Sequence, residues 1–330
     1  MNVIFSLAAV IFLILFAFVG AQFLGLQMLF GVILPYAAIA TFLLGFVWRV
    51  VKWARSPVPF RITTTCGQQK SLPWIRNNNL ENPHNGIGVI GRMLLEILFF
   101  RSLFRNTKAE LKDGPKLVYG SSKWLWLGGL AFHWSFLIIF IRHFRFFSEP
   151  VPFLITALES VDGWFQVWLP AIYVTDALIL GAVTFLVLRR LMDSKLRYIS
   201  LASDYFPLFL ILGITISGVW MRYIQKVDLL SVKELSLGLF SFSPVIPEGI
   251  GWLFFAHLFL VSSLLAYFPF SKLMHMGGVF LSPTRNLANN NRMKRHINPW
   301  NPKVKFHTYE EYEDEFREVM KEAGMPLDKE

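Results

Sequence analysis

Apolar residues in this chain neither alternate nor recur at the three- and four-residue spacing of an amphipathic helix. They run on in blocks, near 3–24, 28–50, 123–147, 166–190, 202–224 and 250–271. About 20 mostly apolar residues carry a helix across the hydrocarbon core of a bilayer, so each block predicts a membrane span. A membrane barrel would require alternating apolar and polar positions, which these blocks lack, and only helices remain. The predicted fold class is all-α: a polytopic membrane protein of six transmembrane helices, the last four forming a bundle. Composition agrees, with 54% hydrophobic residues, 16% charged and a mean hydropathy of +0.47 over 330 residues, far too apolar for a soluble domain.

The polar intervals divide the chain. A short uncharged turn at Gly25 joins the first two spans into an N-terminal hairpin, 1–50, without histidine or acid. A long segment, 51–122, follows, opened by Pro57 and Pro59, which stop the second helix. Within it, GIGVIGRMLLEILFFRSLFRN (86–106) is apolar but carries Arg92, Glu96, Arg101 and Arg105, and predicts a helix lying in the membrane interface. The four-span bundle occupies 123–283. The tail, 284–330, opens with the exposed, Asn- and Pro-rich SPTRNLANNNRMKRHINPWNP, and TYEEYEDEFREVMKEAG (308–324) has the charge order of a solvated helix.

Lys and Arg collect on one side. Segment 52–120 holds eleven against four acids, 189–200 four against one, and 272–305 seven against none, whereas loops 148–165 and 225–249 hold zero and two. The basic side is expected to be cytoplasmic, which places both termini inside the cell membrane. The net charge of +10 follows from this asymmetry, and nucleic acid is not an expected partner. The first span, with no basic residue before it, reads as a retained helix rather than a cleaved signal. Cys66 is the only cysteine, which excludes an internal disulfide, a C-x-x-C-H haem attachment and an iron–sulfur cluster held by this chain.

An ionisable side chain among Phe, Leu and Ile costs free energy unless something binds it. His133 and His143 lie in AFHWSFLIIFIRHFRFF on the third span; His257 and His275 lie on and just past the sixth, while His84, His296 and His307 are in polar segments. At about 100° per residue, ten positions return within about 80° and eighteen make five full turns, so each helix shows its pair on one face. The third span runs outward and the sixth inward, so His143 is expected opposite His257 on the outer side and His133 opposite His275 on the inner side. The two spacings, about 15 Å and about 27 Å, do not match on straight helices.

Two imidazoles meeting in hydrocarbon suit haem b, a large apolar macrocycle whose iron takes one imidazole on each face without a cysteine. Zinc would usually add cysteine or carboxylate, and no span offers that set. The expectation is two bis-histidine haems, outer on His143 and His257, inner on His133 and His275, with Gly128, Gly129, Gly277 and Gly278 letting a porphyrin edge near the backbone. Arg142, Arg145 and Arg222 at the outer ends are candidates for haem propionates, with Lys272, Arg189 and Arg190 inside. Asp176, read as lying well within the fourth span, is a candidate quinol proton acceptor or a paired structural acid; Glu159 and Asp162 are weaker candidates. A transporter or proton channel using the histidines without haem is the rival class, although the repeated halves and broken helices common in such folds are missing.

The histidine spacing resembles the dihaem cytochrome b subunit of respiratory nitrate reductase. TTTCGQQKSLPWIR (63–76), GVIGRMLLEILFFRSLFRNTK (88–108), HWSFLIIFIRHFRFF and HMGGVFLSPTRNLANNNR resemble the DsrM-type membrane cytochrome b subunits of the sulfite-reduction-associated DsrMKJOP complexes, over nearly the whole chain. The resemblance implies two haems b on His133, His143, His257 and His275 and menaquinol as the electron donor. It also implies an electron-accepting DsrK-like iron–sulfur partner in the cytoplasm, akin to heterodisulfide reductase, beside further subunits of the complex. In TCGQQKSLPWIR, Gln68, Gln69, Lys70 and Trp74 gather on the cytoplasmic side near the inner haem, where an interface with the iron–sulfur partner is expected, the alternative being an ordinary packed loop.

Overall fold

A computed structural model describes residues 1–57, 67–163, 171–282, 285–294, 303 and 305–329; Pro59, Cys66, His296 and the start of the motif at 63–76 lie outside them. Thirteen helices follow in chain order among the described residues: α1 (Asn2–Gln22), α2 (Leu34–Ala54), α3 (Gly86–Phe99), α4 (Arg101–Arg105), α5 (Lys123–His143), α6 (Phe153–Asp162), α7 (Val174–Met192), α8 (Ser194–Ile199), α9 (Ala202–Tyr223), α10 (Leu229–Phe240), α11 (Trp252–Tyr267), α12 (His275–Leu281) and α13 (Tyr309–Glu322). Five helical stretches are long and apolar enough to cross a membrane: Asn2–Gln22, Leu29–Ala54, Lys123–Phe146, Ala202–Tyr223 and Trp252–Phe270.

The sixth expected span is α7, and it differs from the reading of 166–190. Its described helix begins at Val174 and carries Asp176 in the first turn and Arg189 and Arg190 in the last, which lowers its hydropathy below that of the other five. It nevertheless packs between α5 and α9, deep in the bundle. Val10, Ile179, Val183, Val187, Tyr205, Phe209, Leu210, Ile211 and Leu260 form one core from α1, α7, α9 and α11. A second core of Ala17, Ala21, Phe30, Phe255 and Ala256 ties the N-terminal hairpin to α11.

Proline shapes two of the helices. Pro35 has no N–H to donate, and the chain enters α2 through a π-helical turn, Leu29–Ile33, with the Leu34 N–H reaching back to Leu29. Pro269 ends α11: two 3₁₀ turns, Phe268–Phe270 and Lys272–Met274, follow, with extended backbone at Ser271 between them. A Cβ at Gly45 would lie 2.8 Å from Pro269, so the glycine lets α2 cross at this break.

The segment from 86 to 121 corrects the all-α expectation. Its helix stops at Phe100, which adopts left-handed backbone (φ 49°), and an antiparallel hairpin, β1 (Thr107–Lys112) with β2 (Lys116–Ser121), precedes α5. Asp113-Gly114 makes its turn, with Gly114 at φ 85°. Helix α3 has 14 residues, too few to cross, and its C-terminal end is tied to α5: the indoles of Trp126 and Trp134 donate to the carbonyls of Phe99 (2.7 Å) and Leu98 (3.0 Å). Arg92 and Glu96 are buried; Glu96 accepts from the Ser102 hydroxyl and N–H and from Arg285 at 3.3 Å. Asn289 closes this cap, its N–H donating to Pro83 at 2.7 Å and its amide to Asn82 at 2.9 Å. The tail helix α13 starts at Thr308 and Glu311, which cap one another's backbone N–H.

Candidate functional site

All four histidines in question have Nδ1 committed. His133 and His143 each approach the carbonyl four residues earlier, Gly129 and Ile139, at 2.7 Å, and His275 approaches the Lys272 carbonyl at 2.9 Å. A carbonyl only accepts, so in these neutral rings the proton sits on Nδ1. His257 meets the Ser217 hydroxyl at 2.8 Å, and that hydroxyl faces the Gly213 carbonyl, also at 2.8 Å. The same hydroxyl faces the Ile214 carbonyl at 3.0 Å; with its hydrogen shared by these two carbonyls, it accepts from the imidazole. A ring whose Nδ1 is engaged in this way presents Nε2 as its lone pair, the arrangement a metal-ligating histidine needs, with the other nitrogen fixing tautomer and orientation.

The rings are brought together in pairs. His133 and His275 lie with centroids 5.9 Å apart and planes at 84°. One metal ion between two imidazoles requires roughly 6 Å, two bonds of about 2.0 Å plus the two half-rings. Phe100 and Phe132 set their ring edges against His133 at 4.9 and 5.0 Å. His143 lies within electrostatic reach of His257 at the other end of the bundle. A Cβ at Gly218 would lie 3.3 Å from His257 Cε1, so that glycine allows α9 to lie against the ring. The mismatch of about 15 and about 27 Å assumed one straight helix. The helix in fact breaks after Tyr267, and His275 opens the separate helix α12. Among the described residues no three His, Cys, Asp or Glu side chains converge as a metal cluster would require. The donor set fits two imidazole pairs.

Three glycines expected to receive a porphyrin edge are covered by aromatic side chains instead. A Cβ would meet Phe185 at 2.6 Å from Gly128, Phe46 at 3.5 Å from Gly277 and Trp53 at 3.6 Å from Gly278; at Gly129 it would meet Leu103 at 3.9 Å. Their small size serves helix packing.

Beside His143 the arginines and acids form a buried network. Arg142 pairs through Nη1 with Asp162 and through Nη2 with Asp176 at 3.1 Å, and donates to Thr175 Oγ1 at 3.1 Å. Asp162 also accepts from the Thr175 N–H at 2.9 Å, and Tyr223 donates to Asp176 at 2.8 Å. Tyr173 lies between two guanidinium groups, Arg142 at 3.7 Å and Arg222 at 4.0 Å from its centroid. Asp176 is therefore in the first turn of α7 and paired, not isolated well inside a span. Arg145 pairs with Glu159 at 2.8 Å, while Arg222 donates to the Ala171 carbonyl and keeps a buried Nε without a hydrogen-bond partner. At the basic end, Asp204 draws Lys272 to 2.5 Å and Arg190 to 3.8 Å; Arg189 is in the last turn of α7. Ser217, Thr175 and Tyr173 had no signal in the sequence, since a hydroxyl or phenol in an apolar helix has many bland explanations.

Residues 116–295, which include all four histidines, match the family described as the nitrate reductase gamma subunit. A protein of Archaeoglobus fulgidus described as an Hdr-like menaquinol oxidoreductase cytochrome b-like subunit is 47% identical over 281 residues, 83% of this chain and 84% of the relative. Its counterpart in Archaeoglobus profundus, under the same description, is 44% identical over 276 residues, 82% of each chain.

Proposed function

The chain belongs to the nitrate reductase gamma subunit family, and from that membership we propose that it is the dihaem cytochrome b subunit of a menaquinol-oxidising membrane complex of the DsrM type. In this reading His143 and His257 hold an outer haem b, and His133 and His275 an inner one. The observation that carries it is the uniform commitment of the four Nδ1 atoms on histidines brought together in two pairs, one of them 5.9 Å between ring centres. Held by these four histidines, haem would supply one-electron transfer and leave no open position for oxygen.

The protein's own part is to hold and orient. Backbone carbonyls fix three rings and Ser217 the fourth. The helix break at Pro269 lets His275 approach His133. The network of Arg142, Asp162 and Asp176 clamps the outer end of α5, next to His143, against α6 and α7. Asp176, to which Tyr223 donates, would take up a proton released by quinol, and Arg222 and Arg145 would pair with the propionates of the outer haem; Arg142 is spent on the two aspartates. Helix α7 completes six spans, with both termini in the cytoplasm. The acceptor would be a DsrK-like iron–sulfur partner on the side of His133 and His275, since this chain has a single cysteine and cannot hold a cluster itself. The family membership and relatives that carry a menaquinol oxidoreductase name support this reading.

Paired replacements test the assignment. His143→Ala and His257→Ala are each expected to remove the same haem, and His133→Ala and His275→Ala the other, as counted by redox titration. If His143→Ala and His257→Ala remove different haems, the pairing is wrong.

A further inference from the structure

The elbow where α3 turns into α4 precedes the family-matched segment, 116–295, and lies against the inner histidine pair. At about 100° per residue, Ile87, Ile90, Leu94 and Leu98 fall within about 80° on one side of α3, and Arg92 and Glu96 fall on the other. The charged side is the buried one: Arg92 and Glu96 are 4% and 7% exposed, whereas Ile87, Ile90 and Leu94 are 83%, 63% and 51% exposed. A helix bordering water shows the opposite polarity. The end of α3 is closed by side chains as well. The Leu98 and Phe99 carbonyls, of the kind a helix end leaves open, accept from Trp134 and Trp126 of α5, and the Ser102 N–H donates to the Glu96 carboxylate at 3.2 Å. Where lipid keeps water out, the protein has to supply such partners itself. Both tryptophans and His133 belong to a stretch apolar enough to cross a membrane, Lys123–Phe146.

At the bend, Phe100 holds left-handed backbone (φ 49°), a place that glycine usually fills at the end of a helix. Glycine would lack the ring that stands edge-on to His133, 4.9 Å between centres. Leu103 of α4 covers Gly129, one turn before His133 on α5.

We infer that the α3–α4 elbow is a membrane-inserted wall: lipid acyl chains cover Ile87, Ile90 and Leu94, and Phe100 at its tip screens the inner histidine pair from lipid-soluble molecules. The screening rests on the haem reading given above; the lipid contact does not. Acyl chains are the occupant because the outward stripe carries no charge and no hydrogen-bonding side chain, and because α3 is tied by its end to a helix that crosses the membrane. The buried Arg92 and Glu96 answer Arg285 on the protein side and leave nothing polar for the lipid to meet. With the wall in place, a lipid-soluble reductant reaches the inner pair only by way of the outer one.

Photolabelling of the intact complex in lipid nanodiscs, with a phospholipid carrying a diazirine on its acyl chain and adducts mapped by mass spectrometry, tests the lipid contact without a mutation. Adducts are expected on the peptide spanning 86–98 as well as on the membrane-spanning helices. Adducts on the spanning helices with none on 86–98, the result if a protein surface covers α3, would overturn the inference. The screening is read in the His257→Ala background, in which the outer haem is expected to be missing. Phe100→Gly, which suits the left-handed turn and removes the ring, is expected to speed menadiol reduction of the remaining haem at least tenfold. Leu103→Ala, which opens the same side from α4, is expected to act in the same direction. An unchanged rate in both variants would overturn the screening and leave the haem reading intact. Absence of haem from the unaltered complex would instead count against the proposed function, and the lipid labelling would still decide where α3 lies.

Discussion

Replacing Arg142 by Met tests how the outer end of the bundle is held. Its guanidinium is the shared partner of Asp162 and Asp176, and the three side chains are only 9%, 4% and 10% exposed. Without it, Asp162 keeps only Thr175, and Asp176 keeps Tyr223 and an Arg222 whose Nε is 4.0 Å away. Removing one partner of a buried ion pair costs about 3–5 kcal/mol, because a charge is left uncompensated where water cannot reach it. At about 1.4 kcal/mol per tenfold, this corresponds to roughly two to three and a half decades in the unfolding equilibrium. The readout is denaturant unfolding of the detergent-solubilised protein, followed by tryptophan fluorescence. Asp162→Asn alone should also destabilise. Combined with Arg142→Met it should cost less than the sum of the two single changes, with a coupling of about 1–3 kcal/mol for residues in one network. Strict additivity within about 0.5 kcal/mol would refute the claim that these groups form one energetic unit.

Other consequences follow from the same contacts. His257 alone of the four has a side chain, Ser217, as its Nδ1 partner. Ser217→Ala should therefore weaken outer haem retention about 10- to 100-fold in a haem-transfer assay while leaving the inner haem in place; equal loss of both would contradict this. Glu96→Ala strips the Ser102 and Arg285 contacts and leaves the buried Arg92 facing Arg285 without a neutralising carboxylate, and should open the 67–105 cap to limited proteolysis. Burial already holds the Arg92 guanidinium below its ordinary pKa, so Arg92→Met in the same background should restore part of the protection. The Thr308 N–H and Lys305 hold the Glu311 carboxyl below its ordinary range. The contribution of that cap to α13 is therefore full above the ordinary carboxylate range and is lost as pH falls through the lowered value, to be followed by hydrogen exchange at 309–314.

The long apolar blocks were legible because membrane spanning leaves a twenty-residue imprint that no local contact can erase, and five of the six expected helices keep it. The fourth block was blurred because α7 exchanges hydropathy for ion pairing: Asp176 and the two terminal arginines matter only once Arg142 and Tyr223 are known to face it. The hairpin at 107–121 was written in Asp113-Gly114 but masked by lysines, which read as a basic cytoplasmic loop. Helices α6 and α10 sit in loops judged only by their charge. The histidine pairs were visible from spacing and direction, while their geometry was not, since a five-turn repeat presumes a helix that Pro269 interrupts. The partners of Arg142 were hidden for a physical reason: a sequence shows that a cation sits near a helix end, not that Asp162 and Asp176, twenty and thirty-four residues away, have claimed it.

The central claim is that four imidazoles grip two haems within the bilayer. A pyridine haemochrome assay on the purified chain, paired with a reduced-minus-oxidised spectrum, tests it most directly. Two haems b per polypeptide with a low-spin alpha band are predicted; a colourless chain purified from haem-replete cells would contradict it.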